Sequence, residues 1–252
     1  MILAHYSLPR GRTPGGGRER SPAIATLPLI VVGPLVALSL LLISPRAQAA
    51  DDATATIDTL HETLIEIMKE AEQLGFQGRS ARVTSTVEVT FDLDFMAAKS
   101  LGAQLKKLET TDRKRWVDTF KRFVVSNLAR QFDSYSGQRF ETVGVLPAPR
   151  DTVIVQTVLV RKSDEDVKLH YRLREVPDAS APGAVNGSNP APDQNAAAGS
   201  PDGSSVVWKI IDIYSNGTVS ELALRRSEFS SLLKREGFEV LVETVNNKAA
   251  KE

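Results

Sequence analysis

The sequence predicts an α+β fold, a curved four-stranded antiparallel sheet covered by an N-terminal helical layer and C-terminal helices. Three observations carry this. Apolar residues recur at helical spacing from residue 53 to about 135, four β-branched runs follow between 140 and 214, and helical spacing returns after the Asn216-Gly217 pair.

The helices come first. From Ala53 to Leu74 the residues Ile57, Leu60, Leu64, Ile65, Met68, Ala71 and Leu74 form one stripe with His61 beside it, and Gly75 follows as a stop signal. Gly78 to Thr90 fits a strand, through Val83, Val87 and Val89, or a further helix. Phe91 to Leu108 opens with Asp92 as an N-cap and brings Phe95, Met96, Leu101, Leu105 and Leu108 to one side. The helix from Asp112 to about Tyr135 is the most regular. Thr111 is placed to cap it, and Trp116, Phe120, Phe123, Val124, Leu128 and Phe132 make a broad apolar face. Its basic residues, Arg113, Lys114, Arg115, Lys121 and Arg122, read as a solvated face.

Strands are expected at Phe140–Leu146, Thr152–Arg161, Val167–Val176 and Val206–Tyr214. In the third, Val167, Leu169, Tyr171 and Leu173 alternate with Lys168, His170, Arg172 and Arg174, so one face is covered and the other wet. Pro177 to Ser205 is built from small and polar residues that cannot bury enough surface to offset their ordering entropy, and reads as a disordered insertion within a hairpin. Asn216-Gly217 favours positive φ and turns the chain. Val219, Leu222, Phe229, Leu232 and Leu233 then trace a last helix, with Gly237 as its C-cap.

Residues 1–49 read as a signal peptide and 50–252 as a single domain. Arg18 and Arg20 precede an uncharged span, Ala23 to Ile43, and Ala47-Gln48-Ala49 supplies small residues for cleavage before Ala50. The competing reading is an uncleaved anchor, since the span is just long enough to cross a bilayer; Pro28, Gly33 and Pro34 interrupt it. Without any Cys, lipoprotein anchoring and disulfide exchange are excluded. Removal of residues 1–49 takes away five basic residues and one acid, leaving a net charge of −4, which argues against nucleic acid as a partner. A periplasmic location fits this pattern.

The inventory for catalysis is poor. His61 and His170 stand far apart in sequence, and no Gly-rich phosphate loop, HExxH, GxSxG or metal-ligand spacing occurs. Asp92 with Asp94 reads as helix capping, and Asp164-Glu165-Asp166 as a turn. No catalytic residue, metal or cofactor is expected. The apolar stripes form either a packed core or the wall of a cavity for lipid tails, two outcomes with the same periodicity.

Several segments in order, FDLDFMAAKSLG (91–102), WVDTFKRFVV (116–125), SYSG (134–137), YRLR (171–174), WKIIDIYSNG (208–217) and RRSEFSSLLKREGF (225–238), resemble the periplasmic phospholipid-binding component of the Mla lipid-transport system, the toluene-tolerance auxiliary family. SELALRRSEF looks closest to its hopanoid-associated branch. The chain departs from the family in its long N-terminus, its hairpin insertion and Asn216. The resemblance implies a cone related to nuclear transport factor 2 with an internal apolar cavity. It implies a monomeric carrier of phospholipid or hopanoid between an inner-membrane ABC lipid transporter and an outer-membrane lipoprotein complex. Carried over by position, Tyr135 and Tyr171 are cavity aromatics, with Phe120, Val124, Leu128, Val158, Leu169 and Ile211 as lining; Arg226 matches a polar position facing a headgroup or partner, and Asp212 another. Two alternatives stay open: an enzyme of the same cone acting on a hopanoid or isoprenoid intermediate, with Asp212 as its carboxylate, and a non-catalytic interaction module with a filled core.

Overall fold

The computed structural model describes residues 45–162, 164–178 and 205–250. The expected signal segment and hairpin insertion lie almost wholly outside these residues. Among the described residues no helix is long and apolar enough to cross a membrane.

Helix α1 (Pro45–Lys69) begins before the expected cleavage point and buries Ala53, Ile57, Leu60, His61, Leu64, Ile67 and Met68 as one stripe. Glu70 separates it from α2 (Ala71–Thr90), so the ambiguous stretch 78–90 is helical and buries Val83, Thr86 and Val87. Gly75 interrupts the helix with φ 56°, a left-handed value that glycine adopts without steric cost. It stops one helical run, as expected, and another starts directly behind it. Helix α3 (Leu93–Leu101) is capped by Asp92, whose Oδ1 accepts from the Phe95 N–H at 3.1 Å. A 3₁₀ turn, Gly102–Lys107, completes that block.

Helix α4 (Thr110–Gln131) starts two residues earlier than expected, and its N-cap is Glu109, which makes no side-chain capping bond; the Thr111 cap does not form. Trp116, Phe120, Phe123 and Leu128 are buried along it. Trp116 donates through Nε1 to the Ala97 carbonyl (2.9 Å) and Ser100 Oγ (3.2 Å), fixing α4 against α3. The Phe229 ring meets those of Trp116 and Phe123 edge-on at 5.4 and 5.5 Å.

Strands β1 (Arg139–Ala148), β2 (Thr152–Val160), β3 (Val167–Pro177) and β4 (Val206–Ser215) pair antiparallel in sequence order. The sheet has five strands, not four. Val219-Ser220 forms β5, which pairs with Tyr214 and Ser215 across the Asn216-Gly217 turn. Val219, expected on the helix, belongs to this strand because its hydrogen bonds close the turn first. Asn216 (φ 52°) and Gly217 (φ 75°) hold the positive φ values anticipated for them. A Cβ on Gly217 would meet the His170 ring at 2.8 Å. Register shifts at Thr142/Gly144 and Arg172/Leu173 are bulges, which bend and twist a strand pair.

Helix α5 (Glu221–Ala250) closes the chain. Gly237, expected as a C-cap, takes φ 85° and breaks the helix there, but helix resumes and buries Leu241, Val242 and Val245. The α2–α3 link is fastened to β4 by the Asp92 N–H, which donates to the Ile210 carbonyl at 2.9 Å. Arg174 pairs with Asp92 at 2.5 Å and lies over the Phe95 ring, centroid 4.4 Å away.

Candidate apolar site on the inner sheet face

Antiparallel register sorts the strand side chains, because directly opposed residues share a face. Tyr171 faces Val155 on one side and Ile213 on the other; Leu169 is opposed by Thr157 and Ser215, and Leu173 by Val153 and Ile210. This is the inner face. His61 of α1 reaches it, which places α1 over the sheet. The alternation expected for β3 is observed, with Lys168, His170, Arg172 and Arg174 on the outer face.

Along β3 and β4 the inner face is unevenly covered. Leu173 and Ile210 are fully buried and Tyr171 nearly so, whereas Val167, Leu169 and Ile213 are only half-buried. Apolar side chains that face the helices and still keep surface are what an apolar ligand would cover. Half-buried Val124 of α4 and Leu222, Leu232 and Leu233 of α5 pack against the same core.

One polar pair stands in this environment. His61 Nε2 and the Tyr171 hydroxyl share a hydrogen bond of 3.1 Å, both residues being buried. The His61 ring also stacks on Phe140, with centroids 3.7 Å apart and planes within 5°. Burial pushes the His61 imidazole down to about 3, so it is neutral at ordinary pH. Burial also raises Tyr171 well above its ordinary value. The pair can therefore offer neutral hydrogen-bonding groups but no charge.

The residues carried over by resemblance divide into two groups. Phe120, Leu128 and Tyr171 are buried in the main core, with Val124 and Leu169 half-buried against it. Val158 does not join them. It opposes Lys168 and Glu141, which puts it on the outer face, because strand parity places alternate residues on opposite sides. Ile211 is buried, but it is the extra residue of the Arg172/Leu173 bulge, where parity is interrupted. Tyr135 is 43% exposed in the segment after α4, with Lys69 Nζ 5.5 Å above its ring. Arg226 is exposed, and its guanidinium lies against Gly102, where a Cβ would meet Nε at 2.9 Å.

Asp212 opposes Arg172 in register and so belongs to the outer row. Its carboxylate accepts from Ser220 Oγ (2.6 Å), the Leu222 N–H (3.0 Å) and its own strand's Ile213 N–H (2.9 Å). Burial, the dominant influence, holds its carboxyl above the ordinary range despite these donors and nearby Arg172. These bonds clasp the junction of β4, β5 and α5. Among the described residues no group of three His, Cys, Asp or Glu is placed to hold a metal ion.

His61 was missed as a partner of Tyr171, although its place in the α1 stripe was a signal. It falls one helical turn after Ile57 and before Ile65, at positions that face the core.

Helices laid over the inner face of an open antiparallel sheet, with half-covered aliphatic residues between them, define an α+β protein. A family model described as MlaC protein matches residues 58–182, from within α1 to just beyond β3, and the chain belongs to this family. No curated protein matches it. Among solved structures, it is similar to a phospholipid-binding protein from Ralstonia solanacearum in complex with a phospholipid. The TM-score is 0.58 at 19% identity, covering 79% of this chain and 97% of that chain, a likeness of fold.

Proposed function

We propose that this protein is a periplasmic lipid carrier, whose inner sheet face shields the acyl or polycyclic body of a phospholipid or hopanoid while the polar head stays near water. The observation that carries this reading is the half-buried aliphatic surface of Val167, Leu169 and Ile213, which faces helices in a chain of the MlaC family. The lipid-bound neighbour of the same fold supports it. Burial contributes about 0.8 kcal/mol per CH₂, so two long acyl chains supply ample binding energy and release is the harder step. Release then requires a membrane partner, and an ABC transporter on the inner membrane with a lipoprotein complex on the outer one fits that need. Asp212, the strand carboxylate that an enzyme of this kind would use, lies in the outer row, tied to Ser220 and Leu222. The protein reads as a binding protein and not as a catalyst.

Native mass spectrometry of protein purified from its own host tests the reading. The expected spectrum contains a lipid adduct, which Leu169→Asp with Ile213→Asp removes while the circular dichroism spectrum is kept. A clean apoprotein mass from a membrane-exposed preparation would overturn it. Lipid profiling of the same sample distinguishes phospholipid from hopanoid.

A further inference from the structure

A second concavity is bounded by helices alone. An open cleft of about 530 Å³ lies between α2, α4 and α5, lined by Phe76 and Ser80, by Arg122 and Val125, and by Asn246 and Ala249 among others. Its size falls within the roughly 300–1,000 Å³ of small-molecule sites. None of its lining residues comes from the sheet, so it is distinct from the inner-face site.

Three observations give the cleft a chemical character. First, Ser80 Oγ is buried there without a hydrogen-bond partner among the described residues, although buried polar atoms are nearly always paired. Second, Arg122 is positioned without a carboxylate. Its Nε donates to Asn246 Oδ1 (3.3 Å) and its Nη2 to the same oxygen (3.2 Å) and to Thr119 Oγ1 (3.2 Å), all neutral acceptors. Among the described residues Nη1 makes no hydrogen bond, so the fork has a donor to spare. Third, among the described residues no Asp or Glu lines the cleft, and beside it the Arg130 guanidinium lies 5.9 Å over the Phe76 ring and donates to the Ala249 carbonyl. Phe76, Val125 and Ala249 form the cleft's apolar wall.

We propose that this cleft is a second binding site, for an oxyanion carried on a short aliphatic body, with Arg122 Nη1 and Ser80 Oγ as its polar contacts. A carboxylate or a phosphate group supplies the required acceptor oxygens, since both accept from a guanidinium and a hydroxyl at once. Arg115 and Lys121 of the same helix are engaged by Glu239 and Glu88, whereas Arg122 lines the cleft with neutral acceptors as its partners.

Residue-resolved NMR on the purified protein tests this, with octanoate, 1-octanol and inorganic phosphate as titrants. Octanoate is expected to move the Ser80, Ser126 and Ala249 amide resonances saturably, and 1-octanol to do so at least tenfold more weakly. Arg122→Gln, a change at an exposed residue, is expected to weaken octanoate at least tenfold at those amides, and Ser80→Ala severalfold. Phosphate moving the same amides identifies the oxyanion as sufficient; silence with phosphate shows that the aliphatic body is required. Absence of shifts at these amides, equal response to octanoate and octanol, or unchanged affinity in Arg122→Gln each overturns the proposal. Shifts at Leu169 and Ile213 report the inner-face site separately, so the carrier reading and this one can fail independently.

Discussion

The two ends of the inner sheet face are built from the same residue types and used differently. On β3 and β4 at the Leu173–Ile210 end the aliphatic side chains are fully buried, and Trp208 is buried at the next inner position of β4. At the Leu169–Ile213 end equally apolar residues remain half-buried, two positions from Tyr171 or directly opposite it. Hydrophobicity alone therefore does not distinguish a residue that holds the protein together from one available to a ligand. What distinguishes them is whether the helical layer covers the position.

The sharpest way to break the comparison is to place the same charge at both ends. Leu173→Asp buries an unpaired carboxylate in a fully covered position and is expected to cost at least ~4 kcal/mol, with loss of cooperative unfolding in a thermal melt. Leu169→Asp, at a half-covered position, is expected to cost roughly 1 kcal/mol and to lose lipid. Equal destabilisation by the two would show that both ends are core.

The next largest effect is pH-dependent and lies at Tyr171, between the two ends. His61 is held down to about 3 when folded and rises to an ordinary value near 6.5 when unfolded. Between these values the unfolded chain binds the extra proton, so stability is full above about pH 6.5 and declines as pH falls toward 3, by up to roughly 4 kcal/mol from this group. Asp212 works in the opposite direction near the acid end, because its carboxyl is raised. The double variant His61→Phe with Tyr171→Phe removes both polar partners together, which leaves no unpaired group. It is expected to unfold near the wild-type temperature at pH 7 and above it at pH 4.5, where a parallel acid decline in both proteins would rule out His61 as the cause.

Much of this comparison was legible in the sequence, and the failures have specific causes. Apart from residues 78–90, left open between strand and helix, and the short β5, the order of helices and strands followed from periodicity, and the inner face of β3 from the strict alternation of Val167, Leu169, Tyr171 and Leu173 with cations. Strand β2 offers no such alternation: TVIVQTVLV is apolar at both parities, so its pattern gave no check on Val158, which was carried over by resemblance and which the register places on the outer face. Ile211 was unreadable because a bulge interrupts the parity on which any face assignment rests. Strand β5 is two residues long, below the length at which alternation exists, and its Val219 fell in phase with the helix that follows. The His61–Tyr171 bond joins residues 110 positions apart, and no local pattern encodes such a pair. Gly75 and Gly237 were read correctly as breaks, but a break by itself does not say whether a helix resumes.

A smaller effect is expected from Asp212→Ala, which removes the acceptor for Ser220 Oγ and the Leu222 N–H at the entry to α5. A cost of about 1–3 kcal/mol in urea unfolding follows from leaving these donors unsatisfied, with lipid content of the surviving folded protein unchanged. Loss of lipid without loss of stability would instead give Asp212 a direct role with the ligand.

The smallest effect tests the face assignment itself. Val158→Thr lies in the outer row, opposite Lys168 and Glu141, where a hydroxyl can reach water. Its stability change is expected to stay within about 0.5 kcal/mol and its lipid occupancy to match wild type. Val155→Thr, three positions away on the same strand, is fully buried opposite Tyr171 and should cost at least ~1 kcal/mol, because its hydroxyl enters an apolar neighbourhood. The two substitutions are chemically identical and differ only in strand parity. A Val158→Thr variant that lost lipid while Val155→Thr kept it would reverse the two faces, and with them the location of the site.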